Sequence, residues 1–208
     1  MNVSAQGVRK GRKFDQVLAG AREVFLAQGY DGASVDEIAR AAGVSKATLY
    51  SYFPDKRELF FEVARLECLR QADAAGQEID TDAPPAQVLE AAARRIIAFY
   101  SSDFGWGMFR IAVAESARFP QLGRRFYDSG PELARVRIGA YLREAVARGA
   151  LVIDDIDLAA DQFVQLCHAD LMDRVAFGLQ RDFTPAQVDR VARGAVRMFL
   201  ACHAAPAR

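Results

Sequence analysis

Apolar residues recur at spacings of three and four along the whole of this sequence, and this periodicity constrains the fold more than any other feature. No segment keeps the alternation of apolar and polar residues that is typical of a half-buried strand. The chain has 208 residues, of which 51% are hydrophobic, so it is long enough to bury a core. We therefore predict an all-α fold with about nine helices.

Capping signals mark the ends of the first helices. The first helix is predicted over about 13–28, because Gly29 adopts left-handed backbone readily and is placed to end it. Ser34 and Glu37 have the Ser-x-x-Glu spacing of a capping box, which predicts the start of a short second helix. Gly43 follows within three turns. Two short helices joined by a turn that contains glycine predict a helix-turn-helix motif.

The third helix is the candidate recognition helix. Ser45 has the position of its N-cap, and Pro54 ends it. Leu49 and Phe53 are four residues apart, so they share the face that packs inside the motif. The other faces carry an ammonium, a methyl group, a hydroxyl and two phenols, which are groups that contact phosphates and base edges. These residues are Lys46, Ala47, Thr48, Tyr50 and Tyr52.

One residue pattern runs through these helices: Phe25-x-x-x-Gly29-Tyr30-x-x-x-Ser34-Val35-x-x-Ile38-Ala39-x-x-Ala42-Gly43-Val44-Ser45-x-x-x-Leu49-Tyr50-x-Tyr52-Phe53-x-x-Lys56-x-x-Leu59. It resembles the DNA-binding domain of TetR-type repressors, and the resemblance extends from Phe14 to about Phe60. The resemblance implies that one set of side chains faces the groove of an operator and a second set contacts its phosphates. The groove-facing set is Lys46, Ala47, Thr48 and Tyr50, and the phosphate-contacting set is Ser34, Tyr52 and Lys56.

The chain is predicted to have three regions. A basic, flexible arm covers 1–12, a helix-turn-helix DNA-binding domain covers 13–60, and a ligand-binding and dimerisation domain covers 61–208. The arm is the candidate for an additional DNA contact, because residues 1–13 include four basic residues and no acidic one. A solvated tail without a role is the alternative. The net charge of the whole chain argues neither for nor against a polyanionic partner, since 27 basic residues balance 27 acidic ones.

The second half of the chain predicts five further helices, of which the last two carry apolar residues on more than one side. The five are expected over about 86–101, 106–118, 131–148, 157–179 and 185–203. A helix that is apolar all round needs cover on every side, so we expect the last two to pair with the same helices of a second copy. The resemblance implies the same homodimer. The candidate interface residues are Leu171, Val175, Val191, Ala195 and Phe199.

An aromatic concentration between two of these helices predicts an effector site. Residues 101–107 contain two glycines and are expected to form a loop, a setting in which large rings pack less completely. Ligand pockets are apolar and aromatic with few polar groups, so we expect a small, largely hydrophobic or aromatic effector. The predicted lining residues are Trp106, Phe109, Phe163 and His168, with Arg110 as a polar anchor.

An enzyme is the main alternative, because each of the two histidines directly follows a cysteine, in Cys167-His168 and Cys202-His203. Adjacent helix residues point about 100° apart and do not readily ligate one ion together, so we predict no catalytic residue, metal or cofactor. A purely structural or membrane-surface bundle explains the apolar helices but not the motif. Three separated cysteines, no signal peptide and no apolar stretch near 20 residues favour a cytoplasmic protein without a membrane contact.

Overall fold

The computed structural model describes residues 11–205 and confirms the all-α class. Within that range the only extended pairing is an isolated bridge between Leu151 and Ala204. The chain divides into two compact units, residues 1–66 and 67–208. Eleven helical segments lie in the described range, two more than the nine expected.

The first unit consists of α1 to α3 and the beginning of α4. These helices are α1 (Arg12–Gly32), α2 (Val35–Ala41), α3 (Lys46–Tyr52) and α4 (Lys56–Glu78). Gly29 interrupts α1 with φ 68° and ψ −175°, backbone that only glycine adopts without strain. The predicted basic arm falls mostly on residues 1–10, which lie outside the described residues. Its end does not extend to residue 12, since Arg12 already begins α1.

Side-chain caps set the starts of α2 and α3 as the sequence predicts. The Ser34 hydroxyl accepts a hydrogen bond from the Glu37 amide at 3.1 Å, and the Ser34 amide donates to the Glu37 carboxylate at 3.1 Å. Ser45 accepts from the Thr48 amide at 3.1 Å. Amides that would otherwise lack partners are thereby satisfied at both helix starts.

The core of the first unit fixes α1 and α3 through aromatic and glycine contacts. The Phe14 and Phe53 rings stack with centroids 5.4 Å apart, and Leu49 is fully buried. Gly20 lets α1 approach the second helix closely, because a Cβ atom there would lie 2.4 Å from the Ala42 nitrogen. Such a contact is shorter than any real Cβ tolerates, so the packing requires glycine at this position.

The second unit is built from seven further helices around one apolar cluster. They are α5 (Pro85–Ser101), α6 (Asp103–Ser116), α7 (Pro120–Ser129), α8 (Pro131–Ala147), α9 (Ile156–His168), α10 (Leu171–Ala176) and α11 (Pro185–His203). The cluster takes residues from α5, α8, α9 and α11, among them Leu89, Leu142, Phe163 and Phe199. The ion pair of Arg94 with Asp189 joins α5 to α11 at the surface, and Arg94 also pairs with Glu90 of α5.

Two departures from the predicted helices explain the larger count. Helix α7 was not predicted, although Leu122 and Phe126 stand four residues apart and both are buried. The helix predicted over 157–179 is divided into α9 and α10 at Asp170, whose φ is +65°. No glycine or proline marks this division in the sequence.

The predicted loop over 101–107 is wrong, because α6 begins at Asp103 and contains both glycines. The Ser102 hydroxyl caps this helix by accepting from the Gly105 amide at 3.0 Å. Gly105 is required by packing, since a Cβ atom there would lie 2.1 Å from the Phe99 carbonyl oxygen. A strong N-cap and a close backbone approach therefore outweigh the low helix propensity of glycine.

Candidate nucleic-acid interface

Helix α3 presents its polar residues to solvent on a scaffold that is fixed from behind. Tyr50 is 47% exposed, whereas its neighbour Leu49 is fully buried. Lys46 and Ala47 are exposed at the start of the helix. The Lys46 ammonium pairs with the Asp36 carboxylate of α2, and both side chains are more than half exposed. An exposed ion pair of this kind is weak, so the ammonium remains available to a phosphate or a base edge.

The two hydroxyl residues of the predicted interface also stabilise helix starts. The Ser34 hydroxyl donates to the Glu37 carboxylate at 2.7 Å, and this bond lowers the pKa of Glu37. The Thr48 hydroxyl is 2.9 Å from the Ser45 hydroxyl. These contacts hold the hydroxyl oxygens in place at the surface of the motif.

Tyr52 and Lys56 have structural partners that the sequence did not predict. The Tyr52 ring packs edge-on against Phe14 at 5.6 Å. The Lys56 ammonium donates to the carbonyl oxygens of Tyr30 and Ala33, at 2.8 and 2.9 Å, and lies 4.3 Å from the Tyr30 ring centroid. Lys56 therefore ties the start of α4 to the segment that leads into α2, and a phosphate contact by either residue stays a prediction.

The structure shows the contacts of the predicted effector residues in the second unit, and their role in binding stays a prediction. Trp106 packs on Phe109 at 5.6 Å, while Phe163 is fully buried in the apolar core. The His168 ring meets a different residue, Tyr100, edge-on at 4.3 Å. Arg110 is exposed, and its role as a polar anchor stays a prediction.

Several buried titratable groups lie in the second unit near His168. Burial lowers the pKa of His168 and raises the pKa of Tyr100 to about 12. Burial likewise raises the pKa values of the Cys68 and Cys167 thiols to about 12. Neither cysteine is a thiolate near neutral pH, which leaves both without the nucleophile that a cysteine enzyme needs. The sequence did not identify Tyr100 as a lining residue, and only the fold shows that it meets His168.

The predicted interface residues face the core of their own chain. This holds for all five, Leu171, Val175, Val191, Ala195 and Phe199, which are buried in the single chain. The prediction treated α9 to α11 as apolar all round, but one face of each helix already packs inside the unit. A side chain that is buried there is not available to a second copy.

The outward surface of α9 and α11 has its own apolar side chains. Leu158 and Met198 are 52% and 59% exposed. Next to them a groove of about 470 Å³ lies between the two helices, with Leu158 and Cys202 in its wall. Met198 is one turn before Cys202, so the exposed apolar residues share one side of the unit.

Two further findings concern residues 11–205. No group of three or more potential metal ligands occurs in this range. Among the same residues, no helix is both long enough and apolar enough to span a bilayer.

Comparison with known proteins identifies both parts of the chain. Residues 17–63 match the family of bacterial regulatory proteins of the tetR type, and residues 87–205 match the C-terminal domain of AefR-like transcriptional repressors. The chain is 30% identical over 158 residues to the HTH-type transcriptional repressor Rv1474c of Mycobacterium tuberculosis, which covers 76% of each protein.

Two solved structures are similar over nearly the whole chain. A TetR-family regulator from Mesorhizobium loti is 30% identical, with a TM-score of 0.79 over 95% of this chain and 100% of that one. The flavonoid-responsive regulator FrrA is 35% identical, with a TM-score of 0.67 over the same shares.

Proposed function

This chain belongs to the TetR family of DNA-binding transcriptional regulators, which are not enzymes, and we propose that it is a repressor released from its operator by a small effector. The observation that carries the proposal is the exposed polar face of α3, opposite the buried Leu49. We propose Lys46, Ala47, Thr48 and Tyr50 as the groove-facing residues, with Ser34 and Tyr52 at phosphates. Lys56 acts mainly by holding the motif together, and the protein acts in the cytoplasm, where its operator lies.

The proposed operator has two inverted half-sites, because a two-fold dimer presents two recognition helices to one side of the duplex. The simplest spacing between half-site centres is one helical turn, about 10 base pairs. Footprinting of the gene's own upstream region tests this arrangement. Full occupancy of a single unpaired half-site by a monomer is the contrary result.

Tyr50→Ala tests the recognition surface. Loss of a base-edge contact is expected to weaken operator binding by about 1–3 kcal/mol in a gel-shift assay, with no change in thermal stability. Tyr127→Ala is the matched control, because Tyr127 is a similarly exposed tyrosine in the second unit. Equal operator affinities for the two variants would remove Tyr50 from the interface.

A homodimer through the outward surface of α9 and α11 replaces the interface predicted from the sequence. Leu158, Met198 and Cys202 lie on this surface. Burial of exposed apolar side chains against a partner is favourable because it removes them from water. A second copy offers the same apolar residues across a two-fold axis.

Met198→Asp is the corresponding test. The added carboxylate loses its water on association, so the variant is expected to sediment as a folded monomer and to bind the operator more weakly. Val113→Asp is the control, since Val113 is 60% exposed on α6, away from this surface. A Met198→Asp protein that remains dimeric would place the interface elsewhere.

The proposed effector is largely hydrophobic or aromatic and binds within the second unit. Two aromatic groups support this: Trp106 with Phe109, and Tyr100 with His168. The likeness to the flavonoid-responsive FrrA favours an aromatic molecule. Release of DNA requires the effector to prefer the released state, and a hundredfold preference corresponds to about 2.7 kcal/mol per site.

Flavonoids are the first compounds to test in the gel-shift assay. An effector is expected to release the operator from the wild type and to change the fluorescence of Trp106, which is the only tryptophan in the sequence. Trp106→Ala is expected to reduce release and leave operator binding intact. Release that is unaffected by Trp106→Ala, Phe109→Ala and Phe163→Ala would exclude these residues from the site.

A further inference from the structure

His168 combines two features that occur together nowhere else in residues 11–205. Its Nε2 atom is buried and has no hydrogen-bond partner within the described chain. Its position is the last residue of α9, two residues before Asp170, the one non-glycine residue in that range with a positive φ. An orphaned polar atom and a strained backbone each cost free energy, so their coincidence calls for a physical reason.

The strained backbone is a tight turn that ends α9. Asp170 has φ 65° and ψ −43°, and the Leu171 amide donates to the Ala169 carbonyl at 2.7 Å. This is a γ-turn with a positive φ at its centre, a rare and strained conformation. The local sequence would allow an unbroken helix, since it contains neither glycine nor proline between Asp157 and Phe177.

Tertiary contacts hold the turn in place. The Asp170 carboxylate accepts from Arg174 at 3.0 Å and pairs with Arg190 of α11. Leu171, directly after the turn, is buried in the apolar core. The turn therefore fixes where α9 ends and sets the His168 ring against Tyr100, at 4.3 Å.

We propose that His168 is the polar anchor of the effector site, that its Nε2 atom hydrogen-bonds a hydroxyl group of a neutral aromatic ligand, and that the Asp170 turn positions it for this contact. The inference rests on the proposed function only for the aromatic class of the effector. The Tyr100 ring, edge-on to His168, would supply one wall for an aromatic body.

A hydroxyl group suits this nitrogen better than a charged group does. A hydroxyl both donates and accepts, so it pairs with either tautomer of a neutral imidazole. Burial keeps the imidazole neutral near pH 7, because it lowers the pKa of His168. A carboxylate would lose its water beside a neutral imidazole and the Tyr100 phenol, whose raised pKa leaves it neutral.

The anchor is tested by titrating flavone and its mono-hydroxylated derivatives into the purified protein by calorimetry, without DNA. At least one hydroxyflavone is expected to bind the wild type about tenfold more tightly than flavone, equivalent to about 1.4 kcal/mol. His168→Phe keeps an aromatic ring and should remove this preference, so that the hydroxyflavone and flavone bind the variant with similar affinities. His168→Gln, whose amide reaches toward the position of Nε2, should retain part of it.

The positioning role of the turn is tested by Asp170→Gly against Asp170→Ala. Both variants lose the carboxylate and its pairs with Arg174 and Arg190. Glycine adopts the positive φ without strain, whereas alanine favours an unbroken helix. We expect Asp170→Gly to bind the best hydroxyflavone at least as well as the wild type, and Asp170→Ala to bind it at least fivefold more weakly.

Three results would overturn the proposal. They are the absence of any hydroxyflavone that binds the folded wild type more tightly than flavone, an equal loss of both ligands in His168→Phe, and equal affinities in the two Asp170 variants. An operator gel shift without ligand, done in parallel, distinguishes failure of the His168 proposal from failure of the proposed repressor function. A protein that binds hydroxyflavones but no operator would contradict only the repressor proposal.

Discussion

The two units of this chain differ in where they place their polar groups. The first unit has them at its surface, and the second unit has them in its interior. The first unit keeps an apolar and aromatic interior and presents Lys46 and Tyr50 outward on α3. The second unit buries groups that titrate or hydrogen-bond, including His168 and Tyr100. Recognition of a large, charged duplex requires groups on the surface, whereas recognition of a small molecule requires groups inside.

Backbone strain follows the same division. In the described part of the first unit the positive φ values occur at Gly29 and Gly43, where they cost little. In the second unit Asp170 takes such a conformation without being glycine. The first unit is thus a relaxed scaffold, and the second stores strain beside its buried histidine, as elements that respond to ligands often do.

The largest effect is expected from Phe199→Asp, which tests whether the inner face of α11 belongs to the core of one chain. Phe199 is buried against Phe163, with ring centroids 5.3 Å apart. A carboxylate there should cost at least about 4 kcal/mol and unfold the second unit in a urea titration. Val113→Asp is the control, with an expected change of about 0.5 kcal/mol or less. A folded Phe199→Asp monomer would restore the interface predicted from the sequence.

Gly20→Ala tests the close packing of α1 against the end of α2 in the first unit. The new Cβ would meet the backbone of Ala42, so either α1 or α2 must shift, at a cost of about 1–3 kcal/mol. Gly194→Ala is the control, because nothing lies within 4 Å of a Cβ there and alanine favours the helix. Thermal unfolding should show a loss of stability for the first variant and none for the second. Equal behaviour would mean that the two helices do not need this close approach.

Local chemistry made the first unit predictable from its sequence. The Ser34 and Ser45 caps and the turn that contains Gly43 depend on residues within one turn, and all three occur as predicted, with Gly43 at a positive φ. The partners of Lys56 were not predictable in this way, because they lie more than 20 residues away. In the second unit the choice of buried face on α11 and the break at Asp170 depend on contacts between distant helices, which periodicity does not reveal.

A smaller effect is expected from pH, and it tests whether buried titratable chemistry belongs to the second unit. Burial lowers the pKa of His168 in the folded state, so the unfolded chain binds its proton at a higher pH. The contribution of a neutral His168 is therefore complete above the unfolded pKa, about 6.5, and is lost as the pH falls below it. Unfolding free energies measured between pH 5 and 7 should decline toward pH 5.

His168→Phe separates this effect from that of the carboxylates. Hydrogen bonds from Arg94 and Arg135 lower the pKa values of Glu90 and Glu132 below 4.5, so their contributions are lost at a lower pH. The variant should therefore show a flatter profile from pH 5 to 7. A profile as steep as that of the wild type would assign the decline to another group.

The smallest effect is expected from Asp36→Asn, which tests whether Lys46 is available to DNA. The Lys46–Asp36 pair is more than half exposed, so its loss should change stability by less than about 1 kcal/mol. Operator affinity should rise modestly at low salt, because the ammonium loses a competing carboxylate and the phosphates lose a repulsive neighbour. Asp182→Asn, an exposed change of the same charge in the second unit and outside the groove beside α9 and α11, is the control for net charge. If both variants show the same affinity across a salt series, Lys46 contributes through the general field of the protein and not through a contact on α3.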